Sequence, residues 1–260
     1  MEKLYIGTNT KMYMSLAETT DYLVRLSQVT TDLCRDDFEL FVIPSFTSLQ
    51  AARSCVAKEQ ITVGAQNIAW EDMGQFTGEI SPVMLKEIGV EIAEIGHSER
   101  RHILHETDEE ENRKVLCAMR HGLRPLLCIG ETGQQKEQGI SDEILRIQLK
   151  IGLHNVPLQN VEKLLVAYEP VWAIGVNGTP ASAEYVHDKH GIIRKTLQEL
   201  FGKKGDCVPV LYGGSVNNAN CEELIVLPNV DGLFIGRSAW NAENFDTIIR
   251  MTIKKWKTKG

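Results

Sequence analysis

The sequence predicts an α/β protein, a (β/α)8 barrel that forms a single domain over residues 1–260. Eight short runs of β-branched and aliphatic residues recur along the chain, and helix-like stretches separate them. The length of 260 residues matches the roughly 250 residues typical of such a barrel. No composition shift or Gly/Ser/Pro-rich linker divides the chain. An open doubly wound sheet of about six or seven strands is the competing architecture, and eight units at this length favour closure.

The eight runs are mostly continuous apolar stretches, as expected of parallel strands that are buried on both faces. The catalytic residues of such a barrel lie on the loops that follow the strands, so candidate site residues are expected directly after each run. The predicted strands lie at 4–8, 39–43, 61–65, 91–95, 125–129, 164–168, 208–212 and 231–235.

Helical spacing of apolar residues separates the strands. The first helix is predicted from Leu16 to Leu33. Ser182 resembles the N-cap of a later helix, and Pro82 after Ser81 resembles a first-turn proline behind an N-cap serine.

Composition and charge exclude several classes of protein. The formal net charge of −7 gives the chain no general attraction for nucleic acid or for an anionic membrane. No stretch approaches the roughly 18 uncharged apolar residues of a membrane span, and the N-terminus does not resemble a signal peptide. Six scattered cysteines without a CxxC pair are typical of a reduced protein. We therefore expect a cytoplasmic protein with no nucleic-acid or membrane partner.

Two loops carry residues suited to stabilise negative charge. Lys11 follows the first predicted strand and offers a positive charge to an anionic substrate, although a solvated surface lysine is the simpler interpretation of this residue alone. His97 follows the fourth strand, where a helix begins. The positive end of the helix dipole favours the neutral ring, whose N–H can donate to a developing oxyanion. A helix-capping imidazole is the alternative for His97.

The loop after the sixth strand begins with Glu169. A carboxylate at the end of a barrel strand is well placed to abstract a proton, and closure of the apolar residues that follow it would expel water. Proline and glycine at the two ends of this stretch suit a segment that moves as a unit. The predicted lid comprises Pro170, Val171, Trp172, Ala173, Ile174, Gly175 and Val176.

The loops after the last two strands are rich in small residues, at 213–215 (GGS) and 236–238 (GRS). Small residues let backbone N–H groups approach a phosphate, and these two loops form the usual phosphate site of the barrel. The sequence has no dinucleotide fingerprint, no Cys–His pair and no metal-ligand cluster, so we predict neither a cofactor nor a metal. The residues together indicate cofactor-free proton transfer next to the carbonyl of a small phosphorylated sugar.

Over nearly its whole length the sequence resembles the triosephosphate isomerase family. The segments that carry the resemblance are specific and follow one another in the family's order. They are 65–67 (AQN), 76–82 (FTGEISP), 96–101 (GHSERR), 128–131 (CIGE), 167–175 (AYEPVWAIG) and 212–216 (YGGSV).

The resemblance implies a TIM barrel and a division of roles. Glu169 would be the catalytic base and His97 the neutral electrophile. Lys11 would supply a positive charge near the carbonyl and the phosphate, with Asn9 beside it and Glu99 as its partner. The backbone groups that would bind the substrate phosphate belong to Gly175, Ser215, Gly236 and Arg237. The resemblance also implies a homodimer, in which the loop at about 66–79 inserts beside the catalytic residues of the second subunit.

Four features depart from the family pattern. They are Thr10, the lid segment 176–180, Phe234, and Arg237 in place of the second glycine of a usual Gly-Gly pair. All four are expected around the pocket while the chemistry residues are kept, which indicates that the reaction type is retained and the substrate shape is altered. The pattern resembles the branch of the family that acts on four-carbon ketose phosphates. We therefore predict an aldose–ketose type isomerase of a small sugar phosphate, with erythrulose phosphate favoured and Arg237 marking the choice.

Other functions compete with this one. A genuine triosephosphate isomerase of glycolysis and gluconeogenesis, which converts dihydroxyacetone phosphate to glyceraldehyde 3-phosphate, would carry the same chemistry. A sugar-phosphate-binding sensor would keep the phosphate loops, but it need not keep Glu169, His97 and Lys11 together. Barrels that act on indole-glycerol phosphate or ribulose phosphate lack the HSERR and EPVW segments.

Overall fold

Eight parallel strands form a closed barrel in the computed structural model, which describes residues 3–175 and 178–259. Each strand pairs with the next one along the chain, and the last pairs with the first. The strands are β1 (Leu4–Asn9), β2 (Phe38–Ile43), β3 (Thr62–Ala65), β4 (Ile92–Ile95), β5 (Arg124–Ile129), β6 (Leu165–Tyr168), β7 (Val210–Tyr212) and β8 (Gly232–Ile235).

Helices cover the outside of the barrel and connect consecutive strands. Short 3-10 turns supplement them, including one at Val171–Ala173 after β6 and one at Arg237–Ala239 after β8. The α-helices of the described chain are α1 (Leu16–Val29), α2 (Leu49–Cys55), α3 (Pro82–Glu87), α4 (Ser98–His102), α5 (Asp108–Arg120), α6 (Gly133–Glu137), α7 (Ser141–Gly152), α8 (Ala183–Phe201), α9 (Cys221–Ile225) and α10 (Ala242–Trp256).

Apolar side chains form two cores, one between the strands and the surrounding helices and one inside the barrel. The inner core is tightly filled at Gly7 of β1, where a Cβ atom would lie 2.1 Å from the Phe41 ring. A strand that faces both cores must be apolar along its whole length, which explains the continuous runs. The inner core consists of Phe41, Ile43, Ile92, Leu126, Cys128, Leu165, Ala167, Leu211 and Phe234.

Two helices begin where the capping residues predict. The Ser81 hydroxyl accepts the N–H of Val83, with Pro82 in the first turn of α3. The Ser182 hydroxyl accepts the N–H of Tyr185 at the start of α8. These contacts satisfy N–H groups that have no partner inside the helix.

The first helix is shorter than predicted, because α1 ends at Val29 and not at Leu33. The guanidinium of Arg35 donates to the carbonyl oxygens of Thr30 and Leu33, which replaces the hydrogen bonds of a further helical turn. Leu33 still packs against the outer core, and this packing accounts for its place in the apolar pattern.

The predicted fold class is confirmed. All eight predicted runs coincide with observed strands to within two residues at either end. The pairing of β8 with β1 excludes an open doubly wound sheet. Within the described residues, no helix has the length and apolar character needed to span a membrane. The assignment of the whole chain, 1–260, to one domain stays a prediction.

Candidate active site

A cavity of about 260 Å³ lies at the C-terminal ends of the barrel strands. Its size is at the small end of ligand-binding sites, which suits a small metabolite. The loops after β1, β4, β6, β7 and β8 contribute its walls. The lining residues are Asn9, Lys11, Tyr13, His97, Glu99, Glu169, Ala173, Ile174, Gly175, Gly213, Gly214, Ser215, Val216, Phe234, Ile235, Gly236, Arg237, Ser238 and Trp240.

Glu169 is held at the end of β6 by its own backbone and by its carboxylate. Its N–H donates to the carbonyl of Ile129 at 2.7 Å, which extends the pairing of β5 with β6. The side chain is buried, and its Oε2 atom accepts the N–H of Ser98 at 3.3 Å. Two glycines make room for it, since a Cβ at Gly130 would lie 1.9 Å from the Glu169 carbonyl oxygen and one at Gly213 would lie 2.9 Å from its Cγ.

His97 caps the N-terminus of α4 and turns its ring toward Glu169. Its Nδ1 atom accepts the N–H of Glu99 at 3.2 Å, so in the neutral ring the proton sits on Nε2. Nε2 lies 3.5 Å from Oε1 of Glu169. The site therefore presents an N–H donor and a carboxylate to the same point in the cavity.

Lys11 is fixed at the edge of the cavity by three contacts. Its Nζ atom lies 2.7 Å from Oε1 of Glu99, and its backbone N–H donates to Oδ1 of Asn9 at 2.6 Å. Its carbonyl accepts from Nε2 of Gln66 at 2.8 Å. The backbone of Lys11 adopts a left-handed conformation with φ of 53°, which costs energy for a residue with a side chain. These contacts hold a cation beside the buried polar groups.

The first part of the predicted lid is anchored to the barrel through Trp172. Its Nε1–H donates at 2.8 Å to the buried carboxylate of Glu131, which also accepts the hydroxyls of Tyr168 and Tyr185. The ammonium of Lys136 lies 3.3 Å from the centre of the Trp172 ring. The indole is therefore held by a hydrogen bond to a buried side chain and by a cation over its ring face.

Only part of the predicted lid lines the cavity. Ala173, Ile174 and Gly175 line the cavity. Pro170, Val171 and Trp172 do not belong to the lining and form the turn that carries it. The remaining predicted lid residue, Val176, lies outside the described residues.

The two glycine-rich loops line the cavity side by side, because they follow the paired strands β7 and β8. Ser215 follows Gly214, where a Cβ would lie 2.2 Å from the Tyr212 hydroxyl oxygen, so the chain approaches β7 closely. Gly236 leads into the 3-10 turn that begins with Arg237. The Arg237 side chain is exposed at the cavity edge, and no acidic side chain of the described residues forms an ion pair with it.

The structure brings together every predicted catalytic and phosphate-site residue in one cavity wall. Of the residues that depart from the family pattern, some line the cavity and others do not. Phe234 lines the cavity and stacks on Phe41 with ring centres 5.7 Å apart. Thr10 is buried next to the cavity, between the lining residues Asn9 and Lys11, and does not itself line it. Alternation along the strand turns its side chain away from its inward neighbour Asn9.

Three residues at the site are not predicted from the sequence. Tyr13 and Trp240 form an aromatic pair with ring centres 4.6 Å apart on the cavity wall, and the Trp240 Nε1–H donates to the carbonyl of Asn9 at 3.0 Å. Glu94 of β4 is fully buried and accepts the Asn9 Nδ2–H at 2.7 Å. A single charged residue inside an otherwise apolar strand run, as in 92–95 (IAEI), is the signal that would have found Glu94.

Comparisons with known proteins find similar chains of known family. The chain is 48% identical to an L-erythrulose-1-phosphate isomerase of Rhizobium etli over 248 residues, which cover 95% of this chain and 91% of the relative. It is 46% identical to an L-erythrulose-1-phosphate isomerase of Brucella abortus, with 98% of both chains covered. A crystal structure of triosephosphate isomerase from Bartonella henselae superimposes with a TM-score of 0.86 at 32% identity, covering 96% of this chain and 98% of that one. The family model described as triosephosphate isomerase matches residues 4–252, and the chain belongs to the triosephosphate isomerase family of enzymes.

Proposed function

We propose that this protein isomerises a four-carbon ketose phosphate, erythrulose 1-phosphate, without a cofactor. One observation supports the reaction type. The Glu169 carboxylate and the His97 Nε2 atom lie 3.5 Å apart and line the same small cavity. The substrate class is supported by relatives at 46–48% identity that are named L-erythrulose-1-phosphate isomerase.

The reaction starts with proton abstraction by Glu169. Its carboxylate removes the proton from C3 of the substrate, the carbon next to the carbonyl on the side away from the phosphate. His97 donates its Nε2 proton to the C2 carbonyl oxygen, which becomes the hydroxyl of an enediol. The positive charge of Lys11 stabilises the oxyanion character that develops on this oxygen.

The second half of the reaction reverses these roles on the neighbouring carbon. Glu169 returns its proton to C2, while the C3 hydroxyl gives its proton back to His97 and becomes the new carbonyl. No atom is lost and no electron acceptor is needed. With a triose phosphate the new carbonyl is an aldehyde. A four-carbon substrate carries a further hydroxymethyl group on C3, so its product is again a ketose, erythrulose 4-phosphate after renumbering.

We propose that the phosphate is bound by backbone N–H groups of Gly175, Ser215, Gly236 and Arg237. These residues lie on the loops after β6, β7 and β8 and share one side of the cavity. The exposed guanidinium of Arg237 adds a charged donor at this end. Closure of the lid, residues 170–176, over the phosphate would exclude water from the enediol.

We propose that two copies of the chain form a homodimer in the cytoplasm. Apolar side chains are exposed on the loop between β3 and α3 and beside the cavity, among them Met73 at 84% and Met12 at 94% of their full exposure. Burial of these side chains against a second copy would remove them from water. The cytoplasm suits the six cysteines, all of which are free thiols.

A coupled isomerase assay tests the proposed function. Purified protein is given dihydroxyacetone phosphate, L-erythrulose 1-phosphate and D-erythrulose 1-phosphate in parallel, and kcat/KM is measured for each. We expect the highest kcat/KM with one of the erythrulose phosphates. A kcat/KM for dihydroxyacetone phosphate above both would contradict the proposal, and binding of all three without turnover would favour the sensor.

A further inference from the structure

Glu94 places a carboxyl group inside the barrel, next to the residues that line the cavity. It lies two positions after Ile92 on β4, so both side chains point into the barrel, where Ile92 belongs to the inner core. Glu94 has no solvent exposure. Burial of a carboxyl group among apolar side chains is unfavourable unless a partner compensates it. Its presence at this position therefore indicates a specific interaction.

The partner of Glu94 is the side-chain amide of Asn9. Oε2 of Glu94 accepts from Nδ2 of Asn9 at 2.7 Å. Oδ1 of Asn9 accepts from the Lys11 N–H at 2.6 Å and from Nε2 of Gln66 at 3.1 Å, so both lone pairs of this oxygen are used. The amide therefore cannot flip. Its second N–H forms no hydrogen bond with any residue of 3–175 or 178–259, and Asn9 lines the cavity.

The surroundings of Glu94 favour its neutral form. Burial raises the pKa of the Glu94 carboxyl well above its usual value, and the nearby Glu169 carboxylate raises it further, against the smaller opposing effects of the Asn9 hydrogen bond and the Lys11 charge. The Cys128 Sγ lies 3.8 Å from Oε1 of Glu94, within a group of three residues that also includes Glu169. A neutral Glu94 adds no second negative charge beside the Glu169 carboxylate.

The barrel geometry assigns Glu94 to one end of the substrate. The glycine-rich loops follow β7 and β8, and β4 lies opposite β8 in a closed ring of eight strands. A substrate whose phosphate lies at Gly236 and Arg237 therefore directs its other end toward β4. In erythrulose 1-phosphate that end is the C4 hydroxymethyl group, which dihydroxyacetone phosphate lacks because its chain ends at the carbon next to the carbonyl.

We propose that Glu94 is a positioning residue that sets the preference for the four-carbon substrate, because it holds the Asn9 amide with its free N–H directed at the terminal hydroxymethyl oxygen. This inference rests on the proposed function and adds the residue pair that selects the substrate. Dihydroxyacetone phosphate has no fourth carbon and therefore no oxygen at this place, so the free N–H of Asn9 contributes to the turnover of the longer substrate alone.

The test compares Glu94→Met with Glu94→Gln on both substrates. Methionine has a similar length and no hydrogen-bond acceptor of comparable strength, whereas the glutamine carbonyl still accepts from Asn9. We expect Glu94→Met to lower kcat/KM for erythrulose 1-phosphate by about 100-fold and for dihydroxyacetone phosphate by less than about threefold. Glu94→Gln should keep the ratio of the two values within about fivefold of the wild type. Equal losses on both substrates with Glu94→Met would reduce Glu94 to a structural role and overturn the proposal.

A second measurement uses the wild-type protein and does not depend on how a variant folds. The analogue 4-deoxyerythrulose 1-phosphate carries a terminal methyl group in place of the hydroxymethyl group. We expect its kcat/KM to be about 100-fold below that of erythrulose 1-phosphate, because the Asn9 N–H then has no acceptor. Equal values for the two compounds would overturn the inference while leaving the proposed function intact. A wild-type preference for dihydroxyacetone phosphate would instead overturn the proposed function.

Discussion

The Nε2 atom of His97 lies 3.5 Å from the Oε1 atom of Glu169, across the ends of β4 and β6. This distance is longer than an ordinary hydrogen bond, so the two groups face each other without forming a hydrogen bond to one another. The second oxygen of Glu169 is held by the Ser98 N–H, and the second nitrogen of His97 is held by the Glu99 N–H. A substrate that enters the cavity therefore meets an acid and a base whose orientations are already set.

Glu169→Gln should lower kcat by at least about 10²–10⁴-fold with little change in substrate affinity. Glutamine keeps the shape of the side chain, and its amide has no basic oxygen able to take a carbon-bound proton. The measurement is the rate of exchange of the substrate C3 proton in D₂O, followed by NMR, beside the binding constant of the substrate. Exchange at the wild-type rate would refute the assignment of Glu169 as the base.

Arg237→Gly should narrow the preference for erythrulose 1-phosphate over dihydroxyacetone phosphate and leave a working isomerase, because it removes bulk and a charged donor from the phosphate end of the cavity. Arg237→Lys is the matched control, since it retains the charge. Its kinetic values should lie between those of the wild type and those of Arg237→Gly. Steady-state kinetics on erythrulose 1-phosphate and dihydroxyacetone phosphate give the comparison. Equal losses on both substrates would show instead that Arg237 contributes only to phosphate binding and does not mark the substrate choice.

Met73→Glu should convert the proposed dimer into a monomer. Met73 is exposed on the loop between β3 and α3, and a carboxylate there would oppose burial in an interface. Leu158→Glu is the control, because Leu158 is also an exposed apolar residue, and it precedes β6 at the opposite end of the barrel. Sedimentation velocity at micromolar concentration measures the mass, and an active wild-type monomer near 29.2 kDa would contradict the dimer.

The buried ring of His190 should make the protein less stable as the pH falls. Burial lowers the pKa of His190 to about 4 from 6.5, and its Nδ1 lies 2.8 Å from the carbonyl oxygen of Asn229. The neutral ring is favoured in the folded state, so its contribution is complete above about pH 6.5 and is lost as the pH falls toward 4. The loss amounts to about 3 kcal/mol for a shift of this size.

The His190→Gln variant isolates this effect. Its free energy of unfolding, measured by urea titration at several pH values, should fall less steeply between pH 6.5 and 4 than that of the wild type. The expected difference between the two proteins over this interval is again about 3 kcal/mol. Parallel curves would show that His190 does not titrate on unfolding in this range.

Much of the barrel follows from local sequence. A strand such as β5 touches an apolar core on each face, so it must be apolar throughout, and this pattern is visible without any tertiary information. Ser81 and Ser182 cap their helices through hydrogen bonds to residues two and three positions away, which are also local. The end of α1 was not predictable in this way, since Arg35 supplies the carbonyl partners from outside the helix.

The sequence by itself determined the fold class and the identity of the chemical groups, because the order of strands and the residues that follow them are properties of the chain. Tertiary structure alone decided which groups meet. Asn9 and Glu94 lie on strands β1 and β4, which do not pair with each other, and only the closure of the barrel brings their side chains to 2.7 Å. The same closure separates Thr10 from the cavity that its neighbour Asn9 lines. The direction of a side chain across a closed barrel depends on register and curvature, which are set by contacts between distant residues.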